Sequence, residues 1–263
     1  MKKFPIALTV AGSDSGGGAG IQADLKTFAA FKVFGTCVIT AVTAQNTAEV
    51  LDSCPLYPEE VESQLEAIFD DFSVKAVKTG MLADADIVSV VARKLKGERV
   101  RNLVVDPVLV AKSGARLLTA DGAEVMVRKL FPLAALITPN LPEAEALAGM
   151  KIKSEEDYRK AAEKLLAFGP RAVLIKGGHR SGDANDFFFD GKKGVWLQAR
   201  RVKVQAVHGS GCILSASICA HLAKGHPLFF SVQSAKSFMN RLLASPFRAG
   251  RGHWVADPVL QQR

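Results

Sequence analysis

At 263 residues, with 48% hydrophobic and 23% charged residues, the chain has the composition of a globular protein with a sizeable core, which excludes intrinsic disorder. Its 34 basic against 26 acidic residues give +8, but without runs of like charge, so neither nucleic acid nor a membrane is expected as partner and the excess reads as a solvated surface able to attract phosphorylated small molecules. The four cysteines, Cys37, Cys54, Cys212 and Cys219, lack metal-ligand spacing, and a chain of this size needs no disulfide framework, so a reducing, cytoplasmic setting is expected.

Lys2-Lys3 and the apolar stretch after them are too soon interrupted by Asp14 for a secretory signal, and no apolar run approaches the roughly twenty residues of a membrane span. A strand over 6–11 runs into Gly12-Ser13-Asp14-Ser15-Gly16-Gly17-Gly18-Ala19-Gly20 and then a helical pattern at Ile21, Leu25, Phe28 and Ala29. That glycine loop matches neither the dinucleotide fingerprint nor a P-loop, because no Lys-Ser or Lys-Thr follows it. Asp24 is read into the first turn of the helix, where the dipole favours a carboxylate. The β-branched run 37–44 delivers Gln45, Asn46 and Thr47 to a strand end, and a structural helix starts at Pro58. A strand over 76–79 ends at Gly80-Met81, with Met81 read first as core packing, and a helix carries Ile87, Val88, Val91 and Leu95.

The next strand, 103–105, presents Asp106-Pro107, an acid that either holds a metal, orients a substrate or caps a turn, ahead of a loop bearing Lys112-Ser113-Gly114. A helix over 120–130 precedes a strand ending at Thr138. Asn140 and Glu143 are spaced as a capping pair at a helix start and equally as ligands of a hydrated cation; Ser154 and Asp157 form a second capping box. The strand 172–175 delivers Lys176-Gly177-Gly178-His179, and 187–197 read as a hairpin with Gly191, Lys192, Lys193 and Gly194 at its turn.

His208-Gly209-Ser210-Gly211-Cys212 opens the next helix, 211–224, and combines a tight glycine turn with a positive helix end: an anion site in which Cys212, its thiolate favoured by the dipole, could take a proton or attack. A last helix spans 227–243, and the tail 245–263 carries weak order signals. The whole reads as one domain over 1–263, a three-layer α/β/α fold with a mostly parallel sheet and a small hairpin, whose polar and glycine-rich strand ends converge on one edge.

Taken together, Ala11 through Asp24 with its glycine loop, Thr43-Ala44-Gln45-Asn46-Thr47, Val105-Asp106-Pro107-Val108, Thr138-Pro139-Asn140 and the 208–212 motif resemble the hydroxymethylpyrimidine/phosphomethylpyrimidine kinases of the ribokinase-like superfamily, from about Phe4 to about Ser245. The resemblance implies a cytoplasmic, homodimeric enzyme that uses ATP and Mg2+ to phosphorylate a hydroxymethylpyrimidine and then its monophosphate in thiamine biosynthesis. It implies that Gly209, Ser210 and Gly211 bind the transferring phosphoryl, Cys212 is the base and Lys176 a phosphate ligand. Gly12 and Asp24 would hold the hydroxymethyl group, Gln45 read the pyrimidine edge, Met81 and Val108 line the ring, and Asp106 and Glu143 order the magnesium. Lys236, otherwise a solvated helix lysine, would serve the charged monophosphate. Ser210, Ile213 and Ala206-Val207 depart from the family pattern, as does Arg251-Gly252-His253-Trp254 in the tail. The rival readings are a pyridoxal or pyridoxine kinase of the same superfamily and a catalytically silent pyrimidine-binding domain.

Overall fold

The computed structural model describes residues 4–111, 114–177, 184–199 and 207–261. Lys2-Lys3, Lys112-Ser113, Gly178-His179 and Ala206 lie outside the described residues. In chain order the elements are β1 (Ile6–Asp14), α1 (Gly20–Ala30), β2 (Phe34–Gln45), β3 (Val50–Pro55), α2 (Pro58–Asp71), β4 (Ala76–Thr79), α3 (Ala85–Gly97), β5 (Leu103–Val105) and α4 (Ala120–Val125). They continue with β6 (Leu136–Ile137), α5 (Leu141–Ala148), α6 (Glu155–Leu166), β7 (Val173–Ile175), β8 (Asp186–Phe189), β9 (Gly194–Leu197), β10 (Val207–His208), α7 (Ser210–Ala223), α8 (Leu228–Ala244) and β11 (Trp254–Val255).

Nine strands form one sheet in the order β3-β2-β1-β4-β5-β6-β7-β8-β9. The six from β2 to β7 are parallel, while β3 at one edge and the β8–β9 hairpin at the other are antiparallel. The central strands read as nearly unbroken apolar runs because both faces of a parallel sheet are covered. Leu103 and Val105 pack with α2 to α6 on one face, whereas Val104, between them, packs with α1, α7 and α8 on the other. The three-layer α/β/α, mostly parallel arrangement is therefore as the sequence implied.

Three local details differ from the sequence reading. The edge strand β3 was not anticipated; it pairs with the C-terminal half of β2. The helix expected over 120–130 is α-helical only to Val125, passes into a π-turn at Met126–Leu130 and ends in a 3-10 turn at Phe131–Leu133, where Pro132 removes a backbone donor. The tail folds back on the body: β11 pairs in parallel with β10, Lys26 bonds Asp257 at 2.9 Å, and Gln261 donates to the carbonyls of Leu242 and Ser245.

Candidate active site

The sheet connections run to one side from β1 to β2 and to the other from β1 to β4, so a crevice opens at the carboxyl ends of these strands, the topological switch point where α/β proteins bind ligands. The pocket there is lined by Gly12 from β1, Gln45 from β2, Lys78 from β4 and, beyond the next strand ends, Met81, Asp106, Val108, Glu143 and Lys176. Gly209, Gly211 and Cys212 close it from the start of α7.

Gly209 is the N-cap of α7 with φ +75, and a Cβ there would run into the carbonyl oxygen of Gly18. Only glycine permits that approach, which locks the turn at the start of α7 onto the glycine loop after β1. Asp14 organises the latter: its carboxylate accepts the backbone N–H groups of Gly16, Gly18 and Ala19 at 2.8, 3.1 and 2.8 Å and lies 2.9 Å from His208 Nε2. Burial opposes its charge, but His208 and these N–H groups hold Asp14 below the usual carboxylate range. His208 Nε2 also lies 3.2 Å from the Gln45 side-chain nitrogen, and Thr43 Oγ1 donates to Gln45 Oε1 at 3.2 Å. One ring nitrogen cannot donate to Asp14 and accept from Gln45 at once; turning the Gln45 amide end for end satisfies both neighbours.

Across the pocket, Lys176 Nζ donates to Asp106 Oδ1 at 2.7 Å, Thr138 Oγ1 donates to the same oxygen at 3.0 Å, and Ser215 Oγ of α7 donates to Oδ2 at 3.3 Å. Burial works against the Asp106 charge, yet Lys176 and Lys78 hold its carboxyl low. Burial likewise opposes the Lys176 charge, and Asp106 and Glu143 hold the ammonium above its usual range. Glu143 accepts from Asn140 N at 2.8 Å while Asn140 Oδ1 accepts from Glu143 N at 2.9 Å, so the capping box is formed and simultaneously carries Glu143 to the pocket wall. Burial pushes the Glu143 carboxyl up to about 7, Lys176 pulling it down and Asp106 adding to the rise.

Four assignments change. Asp24 is the fifth residue of α1, outside its first turn, and is absent from the pocket wall. Its carboxylate is wholly buried, accepting Lys78 Nζ at 2.7 Å and Thr9 Oγ1 at 2.6 Å, so it supports Lys78 from behind the pocket wall. Lys236 also stands away from the pocket: it pairs with Asp186 Oδ2 and donates to the Ala184 carbonyl, at 2.7 and 2.8 Å, because α8 packs its N-terminal half against the start of β8. Ser210 is not in the wall either; with 3.6 residues per helical turn its side chain projects about 200° round α7 from that of Cys212. The Cys212 thiol is pushed up: burial and the carboxylates of Asp24 and Asp106 outweigh Lys78, reversing the expectation of a dipole-stabilised resting thiolate.

Lys78, His208 and His253 are among the wall residues that had no individual role assigned from the sequence. A lysine inside a strand buried on both faces is itself a signal, since such a charge must be paired. The other two reach the pocket only through tertiary contacts.

A positive helix end, two lysines and two buried carboxylates around a switch-point crevice define a small-molecule phosphotransferase of the ribokinase-like fold. Residues 14–257 match the family model described as phosphomethylpyrimidine kinase. The chain is 46% identical over 253 residues to the hydroxymethylpyrimidine/phosphomethylpyrimidine kinase of Streptomyces coelicolor, covering 96% of this chain and 94% of that protein. It is 46% identical over 259 residues to the protein of that name from Haemophilus influenzae, with 96% of each covered. Among solved structures, an ADP complex of Bacillus subtilis pyridoxal kinase superposes with TM-score 0.92 at 35% identity, covering 99% of this chain and 100% of that one. The phosphomethylpyrimidine kinase of Clostridium difficile superposes with TM-score 0.81 at 41% identity, covering 90% and 98%. The chain belongs to the phosphomethylpyrimidine kinase family.

Proposed function

We infer that the protein transfers the γ-phosphoryl group of ATP to the hydroxymethyl group of 4-amino-5-hydroxymethyl-2-methylpyrimidine, and then phosphorylates the monophosphate to the diphosphate, in thiamine biosynthesis. The observation that carries this reading is the α7 N-terminus, Gly209 to Cys212, opposed across one pocket to Lys176 paired with Asp106. Phosphoryl transfer asks the protein chiefly for alignment and charge stabilisation. The free N–H groups at the start of α7 receive the equatorial oxygens of the transferring group, and Lys176 offsets its negative charge. The acceptor oxygen attacks phosphorus, the bond from phosphorus to the bridging oxygen of ADP breaks, and the hydroxyl proton passes to Cys212 in its thiolate form, which Lys78 favours and which burial and the carboxylates of Asp24 and Asp106 oppose. Gly12 holds the hydroxymethyl group, Gln45 reads the pyrimidine edge, and Met81 and Val108 line the ring, all four standing in the pocket wall.

Asp106 and Glu143 fit Mg2+, which takes hard oxygen donors and commonly keeps one or two carboxylates plus phosphate oxygens. The lift of Glu143 to about 7 marks a buried carboxyl whose charge a cation would relieve. Bound there, the ion would neutralise phosphate charge. A homodimeric state and a cytoplasmic location complete the proposal.

The test is ATP consumption with hydroxymethylpyrimidine, its monophosphate and pyridoxal offered separately. Turnover of both pyrimidines well above that of pyridoxal is expected. Preference for pyridoxal would turn the assignment to the pyridoxal kinases, and silence with all three would leave a binding domain.

A further inference from the structure

The tail residue His253 belongs to the pocket wall although, outside the 208–212 loop, the wall residue nearest to it in the sequence is Lys176. Its place is fixed by backbone: His253 N donates to the Thr47 carbonyl at 2.7 Å, Gly252 N donates to Thr47 Oγ1 at 3.1 Å, and Trp254 and Val255 pair in β11 with Val207 and His208. A side chain at 252 would collide with the Thr47–Ala48 backbone, so glycine is required for this clamp. The strap is pinned again downstream by the Lys26–Asp257 pair at 2.9 Å. His253 is thus held as firmly as a core element, and it is half-buried.

The polar groups beside it are largely committed. Asn46 Oδ1 accepts the backbone N–H groups of Ala48 and Glu49, at 2.8 and 3.1 Å, and Thr47 Oγ1 accepts Gly252 N. The Gln45 amide, engaged by Thr43 and His208, keeps one N–H and one lone pair. Lys78, Lys176 and His208 are each tied to a carboxylate. The ring of His253 makes no hydrogen bond among the described residues. It is therefore a wall side chain with both a donor and an acceptor still to offer, in a pocket where a polar heteroaromatic ligand must find several partners.

We infer that His253 is an acceptor-binding residue, its imidazole hydrogen-bonding the polar edge of the heteroaromatic acceptor beside Gln45. The inference rests on the kinase reading given above. It makes the C-terminal strap part of the specificity apparatus: a segment pinned to the body by Gly252 and β11 carries a contact to the substrate.

His253→Ala and His253→Gln are compared with the parent by calorimetry with hydroxymethylpyrimidine, and by the KM for ATP at saturating acceptor. The Ala variant should bind the pyrimidine about five- to tenfold more weakly, the weight of one neutral hydrogen bond. Its KM for ATP should stay as in the parent, and Gln should restore most of the pyrimidine affinity. Unchanged pyrimidine affinity in the Ala variant overturns the inference. So does a parallel rise in the KM for ATP, or a Gln variant no better than Ala, either of which makes His253 a support of the wall alone. A parent that gives no binding heat with hydroxymethylpyrimidine sinks the kinase assignment first; the same comparison with pyridoxal then decides the role of His253, and silence there as well overturns both.

Discussion

Replacing Asp24 by Asn should destabilise the protein far more than its place beside the active site suggests. Asp24 and Lys78 meet at 2.7 Å with both side chains wholly excluded from solvent. At an effective dielectric of 20, two unit charges at that distance attract by about 6 kcal/mol, which the cost of drying both ions, several kcal/mol each, roughly cancels. The intact pair is therefore worth little net, but removing one partner strands the other. Asp24→Asn leaves the Lys78 ammonium without its directly bonded counter-charge, Asp106 being already paired with Lys176, at a cost of about 3–5 kcal/mol. For a chain of this size that is a fall in melting temperature of about 10 °C. Lys78→Met should cost a similar amount, and the double variant Asp24→Leu/Lys78→Met should recover at least half of either loss, because an apolar pair has no unpaired charge. Urea unfolding of the four proteins measures this directly. A single variant within about 1 kcal/mol of the parent, or a double variant less stable than both singles, would refute the account, the first by showing that water or relaxation reaches the site and the second by showing that the pair is net stabilising.

Gly209→Ala should forfeit roughly 1–3 kcal/mol through its φ of +75 alone and abolish turnover, because the added Cβ displaces the anion loop from Gly18; parent-like kinetics would dissociate the loop from catalysis. Cys212→Ala should keep the fold and lower kcat by roughly 10²–10⁴, and in the parent Cys212 should alkylate more slowly than the exposed Cys54 since burial raises its thiol. Lys236→Met should lower stability, by unpairing the buried Asp186, and reduce activity on the alcohol and the monophosphate by one common factor; a selective loss on the monophosphate would return Lys236 to the substrate. Burial, aided by His226 and Lys224, holds His221 down to about 4. A folded-state value below the unfolded one gives stability that is whole above pH 6.5 and is lost as pH falls toward 4, so His221→Gln should flatten the dependence of the urea midpoint on pH in that window by roughly 1–2 kcal/mol, allowing for its partial exposure.

What the sequence revealed and what it hid divide along a physical line. Signals that are local survive folding: the capping boxes at Asn140 and Ser154 form with their N3 partners as spaced, and the apolar run Ala76-Val77 marks β4. The glycine turn at Gly209 likewise caps a helix. Edge strand β3 carried no such mark, because Val50-Leu51-Asp52-Ser53-Cys54-Pro55 is largely exposed and owes its extended form to β2 alone. The assignments that moved, Asp24 and Lys236, concern charged residues one or two turns into a helix, whose surroundings are set by another element: β4 brings Lys78 under Asp24, and β8 brings Asp186 to Lys236. The Cys212 thiol moved for the same reason, since a local dipole argument omits burial and the two carboxylates that α1 and the end of β5 bring from elsewhere. Dipole and propensity arguments therefore locate the glycine turn that opens α7, while the protonation of what stands in it is decided by long-range neighbours. The tail makes the point most sharply. Nothing in Arg251-Gly252-His253-Trp254 announces order, but Gly252 is the one residue type that can lie against the Thr47–Ala48 backbone, and once it does, His253 and the β10–β11 pairing follow from chain geometry. A glycine beside a histidine in an unpatterned tail is legible only after the surface it must touch is known.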